Sequence, residues 1–171
     1  IGLNAESLSY MPGQAFSVAA TTLVGRNLGA GNPERAERST YEALKMACLL
    51  VSIMGIVFLF WPETLMGFYT SDSEVIRLGA VYLRIMAFCQ IHQAFHFVFN
   101  GALRGAGDTK FPMWVTAMGN WVIRLSLTYY LINVVGTGVA GAWWAMATDG
   151  LFKGLASLFR FRSGKWKEAT A

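Results

Sequence analysis

The densest group of chemically active side chains in this sequence surrounds its two histidines. Cys89, His92, Gln93, His96 and Asn100 recur one to four residues apart, so a helix would hold them within one arc of about 100°. Imidazole and thiolate suit zinc, but no carboxylate or second cysteine accompanies them. We therefore expect no metal site here. We interpret these residues as hydrogen-bonding and proton-exchanging groups, because an imidazole titrates near pH ~6.5.

Two further polar rows repeat at helical spacing. One comprises Thr116, Asn120, Arg124 and Thr128, and the other comprises Gln14, Ser17, Thr21 and Gly25. Arg124 is surrounded by apolar residues, where a charge is costly unless it is paired or faces a cavity. Asp149 is its candidate partner, and the alternative is that Asp149 pairs with Lys153 four residues later in its own helix. We expect these helices to line a cavity, although such polar groups also join helices by hydrogen bonds. The residues expected to line it are His92, Gln93, His96, Asn100, Asn120, Arg124 and Asp149, whereas Cys89 is expected to be an apolar packing residue.

Enzyme chemistry is not indicated by the sequence. No nucleophile lies in a recognisable arrangement with a base and an orienting residue, and no paired carboxylates suit hydrolysis. Two loops have the form G-x-x-x-G-A-G, in VGRNLGAGNPERA and NGALRGAGDTKFP. They lack the third glycine of the dinucleotide pattern G-x-G-x-x-G, and neither supplies the P-loop pattern G-x-x-x-x-G-K-[ST]. We predict neither catalysis nor a cofactor.

The elements that must position these side chains are apolar helices. Hydrophobic residues make up 54% of the 171 residues and charged residues only 14%, whereas a soluble domain carries about 25% charge. Uncharged runs are close to the ~20 residues that a membrane-spanning helix needs. The sequence predicts an all-α integral membrane protein with five spans at about 7–28, 43–61, 81–103, 111–135 and 139–161.

Helix-terminating residues separate the predicted spans. Asn32 is a plausible N-cap with Pro33 in the first turn, and Ser71 with Glu74 forms a capping-box pattern. The glycine loops would end the first and third spans as C-caps, and their G-x-x-x-G spacing would let another helix approach closely. The loop residues assigned these structural roles are Gly25, Gly29, Gly31, Gly101, Gly105, Gly107 and Asp108.

The basic residues predict an orientation. Eleven Lys and Arg residues fall on the side of the two glycine loops, counting Lys153, and only Arg77 and Arg84 fall on the other. Because basic residues are retained on the cytoplasmic side, we expect the glycine loops and a basic tail at 162–171 to be cytoplasmic. The charges flank spans instead of forming one patch, so we expect the lipid bilayer and not nucleic acid as the partner.

Four segments together resemble the carboxy-terminal half of the multidrug and toxic compound extrusion (MATE) family. They are TTLVGRNLGAGNPERAER, YTSDSEVIRLGAVYLRIMAF, NGALRGAGDTKFPMW and GNWVIRLSLTYYL. The resemblance implies a two-lobe, twelve-helix antiporter of the cytoplasmic membrane that expels organic cations and drugs in exchange for sodium ions or protons. The chain would supply helices eight to twelve of a longer polypeptide, whose amino-terminal lobe would be its partner.

One position departs from the family pattern. A sodium-coupled branch carries an acidic residue ten positions before the Leu of its LRG motif, and the count back from Leu103 reaches Gln93. An acidic cation site at that position is therefore not expected in this chain, and Gln93 would bind substrate by hydrogen bonding. Two alternatives stay open: a lipid-linked glycan flippase of the same superfamily, and a membrane scaffold subunit whose polar rows only pack helices.

Overall fold

The computed structural model describes residues 2–167, with side chains from Met11 onward, and this part of the chain is helical without strands. The helices are α1 (Gly2–Gly29), α2 (Pro33–Phe60), α3 (Pro62–Gly67), α4 (Ser73–Gly105), α5 (Lys110–Met118), α6 (Leu125–Asn133) and α7 (Val139–Arg162). A π-helical segment, Gly119–Arg124, joins α5 to α6 without a break, and a 3-10 turn follows at Lys165–Lys167. The predicted all-α fold is confirmed, with each predicted span overlapping one long helical segment.

Helix α4 is the centre of the bundle. It packs against α1, α2, α3 and α7, whereas the α5–α6 segment packs mainly against α7. One apolar core lies at the end where both glycine loops are found and contains Phe99, Phe161 and Trp166. A second core lies towards the opposite end and contains Phe58 and Leu83.

The helices differ in how well they suit a bilayer. Two of those in the described part, α2 and α4, are long and apolar enough to cross a membrane by length and composition. The α5–α6 segment is interrupted by its π-helical turns, and α7 carries Asp149 and Lys153 near its middle. Outward-facing Met46, Leu49, Ile53 and Ile56 make one side of α2 apolar and exposed, as expected for a helix at the lipid boundary.

The two glycine loops have the same backbone structure. Gly31 and Gly107 have φ of 73° and 84°, the left-handed conformation that glycine adopts at helix C-termini. In each loop the glycine N–H donates to the carbonyl three residues earlier, and the next N–H donates to the carbonyl five residues earlier, all at 2.9 to 3.0 Å. This is the Schellman arrangement, so the predicted C-caps are confirmed at Gly31 and Gly107. Four other glycines assigned to the loops instead lie within α1 and α4: Gly25, Gly29, Gly101 and Gly105.

The prediction for the start of α4 was wrong by one residue. Asp72, not Ser71, is the N-cap, and its Oδ1 accepts from the N–H groups of Glu74 and Val75 at 2.9 and 3.3 Å. A carboxylate at this position satisfies two unpaired backbone donors and adds a favourable charge at the helix N-terminus. Asn32 and Pro33 do begin α2, but the Asn32 side chain donates to the Ala30 carbonyl instead of capping the helix.

The first residues of the predicted tail pack against the bundle. The Trp166 side chain is fully buried, stacks on Phe161 at 4.8 Å between ring centroids and donates to the Phe161 carbonyl at 2.7 Å. Lys167 forms an ion pair with Glu37 of α2. The remainder of the predicted tail, residues 168–171, lies outside the described residues.

Candidate functional site

A buried ion pair lies in the middle of α7. The Lys153 ammonium is 2.6 Å from Oδ2 of Asp149, with the two side chains only 10% and 6% exposed. The same ammonium donates to Oδ1 of Asn120 on the π-helical segment at 2.7 Å. The cation therefore links α7 to the neighbouring helical segment as well as pairing within its own helix.

The second carboxylate oxygen of Asp149, Oδ1, is not paired as Oδ2 is. This oxygen is buried and has no hydrogen-bond partner, which is uncommon for a charged group because an unsatisfied buried acceptor costs about 1–3 kcal/mol or more. Gly119 lies directly over this oxygen, and a Cβ at that position would overlap both Asp149 Oδ1 and Lys153 Cε. The absence of a side chain at Gly119 is thus what lets the π-helical segment approach the pair.

Hydrogen bonds continue from this pair to α4. The Ser157 hydroxyl is 2.8 Å from the Lys153 carbonyl and 3.3 Å from Oδ1 of Asn100. The Asn100 amide nitrogen lies 2.9 Å from Nδ1 of His96 and can donate to that ring in the matching tautomer. A polar network therefore runs from Asn120 through α7 to His96, and we call these six residues the central network: His96, Asn100, Asn120, Asp149, Lys153 and Ser157.

Small residues on α7 make the close packing against α4 possible. A Cβ at Gly154 would come within 2.7 Å of the His92 carbonyl oxygen, and one at Gly150 would lie 4.0 Å from Cδ2 of the His92 ring. Because both positions lack side chains, α7 can place Lys153 and Ser157 beside α4. His92 itself is half-buried next to this contact.

The structure contradicts the predicted pairing of Asp149 with Arg124. Asp149 pairs with Lys153, the alternative that the spacing left open. Arg124 is exposed and forms no ion pair within the described part of the chain. The physical reason is local: Lys153 lies one helical turn from Asp149, so this pair forms without ordering a second helix.

Lys153 is a buried member of the central network that the sequence offered only as an alternative partner of Asp149. It was counted among the basic residues at the membrane surface, whereas it is buried within the bundle. Its apolar surroundings in GLFKGLA, together with its spacing from Asp149, could have indicated that it is buried. The surface excess of basic residues at the glycine-loop end is therefore ten against two.

The polar rows of α1 and α4 meet at a groove of about 310 Å³. Its lining includes Gln14, Ser17, His96, Asn100 and Arg104. Gln93 is half-buried on α4, and Cys89 packs in the opposite core, where its thiol donates to the Ile85 carbonyl at 3.4 Å. Of the residues predicted to line a cavity, those of the central network lie together beside this groove, and Arg124 lies apart from them on the surface. That they line a transport cavity stays a prediction.

The bundle has apolar outer faces and carries a buried ion pair within α7, and ionisable side chains inside a membrane bundle are typical of proteins that move ions or substrates. Comparison with known proteins agrees, because the MatE family matches residues 1–130. The chain therefore belongs to the MATE family, whose members are multi-pass membrane transporters and not enzymes.

Two bacterial proteins that are similar to this chain carry multidrug resistance names. The chain is 37% identical over 168 residues to the probable multidrug resistance protein NorM of Thermotoga maritima, covering 98% of this chain and 36% of that protein. It is 34% identical over 163 residues to multidrug resistance protein NorM of Burkholderia vietnamiensis, covering 92% and 34%. The chain thus spans about a third of the length of these curated relatives.

A solved structure shows the same fold. The crystal structure of the eukaryotic MATE transporter AtDTX14 superposes with a TM-score of 0.89 at 22% sequence identity. The superposition covers 99% of this chain and 38% of that one. The bundle described above is therefore a MATE fold over nearly the whole chain.

Proposed function

We propose that this chain is part of a two-lobe transporter that exports drugs and other small organic cations in exchange for sodium ions or protons. It would act in the cytoplasmic membrane, with the glycine-loop end and carboxy terminus in the cytoplasm, and with an amino-terminal lobe of the same polypeptide as partner. The observation that carries the proposal is the buried Asp149–Lys153 pair bonded across helices to Asn120. Ionisable groups inside a membrane bundle mark ion and substrate pathways.

The pair supplies a simple coupling step. When Asp149 is ionised it holds Lys153, and Lys153 holds Asn120, so α7 and the π-helical segment are joined. A proton or sodium ion that binds the unsatisfied Oδ1 of Asp149 neutralises the carboxylate and weakens its attraction for the ammonium. The contact between α7 and the π-helical segment then loosens, which would let the lobe change shape in alternating access.

Other ionisable side chains near the Asp149–Lys153 pair would affect this step. The titratable side chains that face this part of α7 from α4 are His92 and His96, and the π-helical segment contributes the neutral amide of Asn120. A positive charge on either histidine would oppose the Lys153 ammonium.

The experiment is ethidium accumulation in cells that express the full-length transporter. Asp149→Asn and Lys153→Met should each raise accumulation towards that of cells without the transporter. Gln93→Ala and Arg124→Ala test the remaining predicted cavity residues in the same assay. Glu74→Gln, an exposed carboxylate in the first turn of α4, is the matched control and should leave efflux unchanged.

If accumulation is the same with and without the transporter, the efflux proposal is wrong whatever the variants show. If the transporter works but Asp149→Asn and Lys153→Met behave like wild type, the pair has no part in coupling. The efflux proposal is preferred over the flippase and scaffold alternatives because both relatives compared above carry multidrug resistance names.

A further inference from the structure

A groove between α1 and α2 is separate from the central network. Its volume is about 770 Å³, and Phe16, Ala19, Leu23 and Met46 form its apolar wall. The residues that line it all belong to α1 and α2, whereas the central network belongs to α4, the π-helical segment and α7. The coupling step proposed above does not use this groove.

A smaller polar recess continues the groove at the glycine-loop end. This recess measures about 340 Å³ and shares Leu23, Arg35 and Ser39 with the groove. It adds Arg26 and Asn27 from the last turns of α1. An apolar channel therefore runs into a basic, hydrogen-bonding mouth.

The length of this channel matches one leaflet of a bilayer. Phe16 and Arg26 are ten residues apart on α1, which is about 15 Å along a helix. The hydrocarbon core of a bilayer is about 30 Å thick, so one leaflet occupies about 15 Å. With Arg26 at the level of the lipid headgroups, Phe16 lies near the middle of the membrane.

The charges at the mouth favour an anion. Arg26 and Arg35 are exposed, and no acidic side chain lines the recess. The adjoining groove includes Glu34, which precedes Arg35 in the first turn of α2, together with Arg38 and Glu42. Glu42 is paired with Lys45 at 3.0 Å. Across the recess and the groove, three Arg side chains therefore outnumber two carboxylates, one of which is already paired.

We propose that this channel binds an anionic phospholipid of the cytoplasmic leaflet. The phosphate lies between Arg26 and Arg35, and one acyl chain follows Leu23 and Ala19 towards Phe16. Basic pockets between membrane helices on the cytoplasmic side bind anionic headgroups in this manner. The proposal adds a lipid site to the transport function and does not depend on what the transporter exports.

The test is native mass spectrometry of the full-length transporter from micelles containing phosphatidylglycerol and phosphatidylcholine with the same acyl chains. Wild type should retain phosphatidylglycerol in preference. Arg26→Gln/Arg35→Gln should lower the retained phosphatidylglycerol by roughly thirtyfold, about fivefold for each Arg near the headgroup. Arg77→Gln/Arg162→Gln removes the same two charges elsewhere and should retain the lipid.

A second variant separates lipid binding from misfolding. Ala19→Phe fills the groove without changing charge and should also lower retention, whereas Leu49→Phe on the exposed side of α2 should not. Equal retention of both lipids by wild type would overturn the proposal. So would a cross-link between Leu23→Cys and the amino-terminal lobe in every state of the transporter, because protein would then occupy the groove.

Discussion

Asp149 and Lys153 form the least exposed ion pair among the described residues. A buried ion pair contributes little net stability by itself, because desolvation of both charges offsets their attraction. Removing one partner is costly, since it leaves the other charge buried and uncompensated. Single and double substitutions of the pair should therefore have different effects on stability.

We predict that Asp149→Asn and Lys153→Met each destabilise the folded transporter by about 3–5 kcal/mol. The double variant Asp149→Asn/Lys153→Met should recover most of that loss, because no charge then remains in the site. The free energy of unfolding of each of the three variants can be measured on the purified full-length protein in micelles that mix a mild and a denaturing detergent. Additive losses in the double variant would show that the two side chains do not interact as described.

At the scale of elements, glycines on α4 determine how closely α1 can pack. A Cβ at Gly101 would overlap the Ser17 carbonyl, and one at Gly105 would overlap the Thr21 carbonyl. The Thr21 hydroxyl also lies 2.8 Å from the Gly101 carbonyl oxygen, to which it donates. This is the close helix approach that the G-x-x-x-G spacing predicted.

We predict that Gly101→Ala and Gly105→Ala each destabilise the bundle by about 1–3 kcal/mol, because backbone atoms of α1 must move. Gly29→Ala is the matched control, since nothing lies within 4 Å of a Cβ at that position. It should be neutral or slightly stabilising, because Ala favours a helix over Gly by up to about 1 kcal/mol. Thermal unfolding of the full-length protein checks the comparison, and equal effects at all three positions would contradict the packing argument.

Most of the fold could be predicted because it depends on coarse properties of the sequence. Apolar run length gave the helical segments, and left-handed glycines gave the matching turns at Gly31 and Gly107. The central network was harder, because the rotation that brings Asn120 to Lys153 depends on π-helical turns that hydropathy does not register. Lys153 is an example, because hydropathy does not distinguish a Lys at the membrane surface from a Lys that is buried inside the bundle.

At the scale of the whole molecule, two ion pairs connect separate segments of the chain at one end of the bundle. Asp108, next to the second glycine loop, lies 2.7 Å from Nε of Arg160 on α7, whose guanidinium also lies over the Phe111 ring. Lys167 and Glu37 form a second pair at this end. Both glycine loops and the end of α7 therefore share one face, as the distribution of basic residues predicted.

We predict that this face is cytoplasmic. In intact cells, Ser163→Cys at this end should resist an impermeant maleimide, whereas Val135→Cys in the opposite loop should react. Permeabilisation should make Ser163→Cys reactive. Labelling of Ser163→Cys but not Val135→Cys in intact cells would reverse the orientation.

The central claim is that the Asp149–Lys153 pair couples ion entry to drug export. Ethidium efflux from proteoliposomes containing the full-length transporter, driven by an imposed sodium or proton gradient, tests it most directly. Wild type should respond to one gradient, and Asp149→Asn should lose that response by about tenfold or more, since about 1.4 kcal/mol suffices for tenfold. Glu74→Gln, an exposed carboxylate outside the central network, should respond like wild type. An undiminished response in Asp149→Asn would contradict the claim.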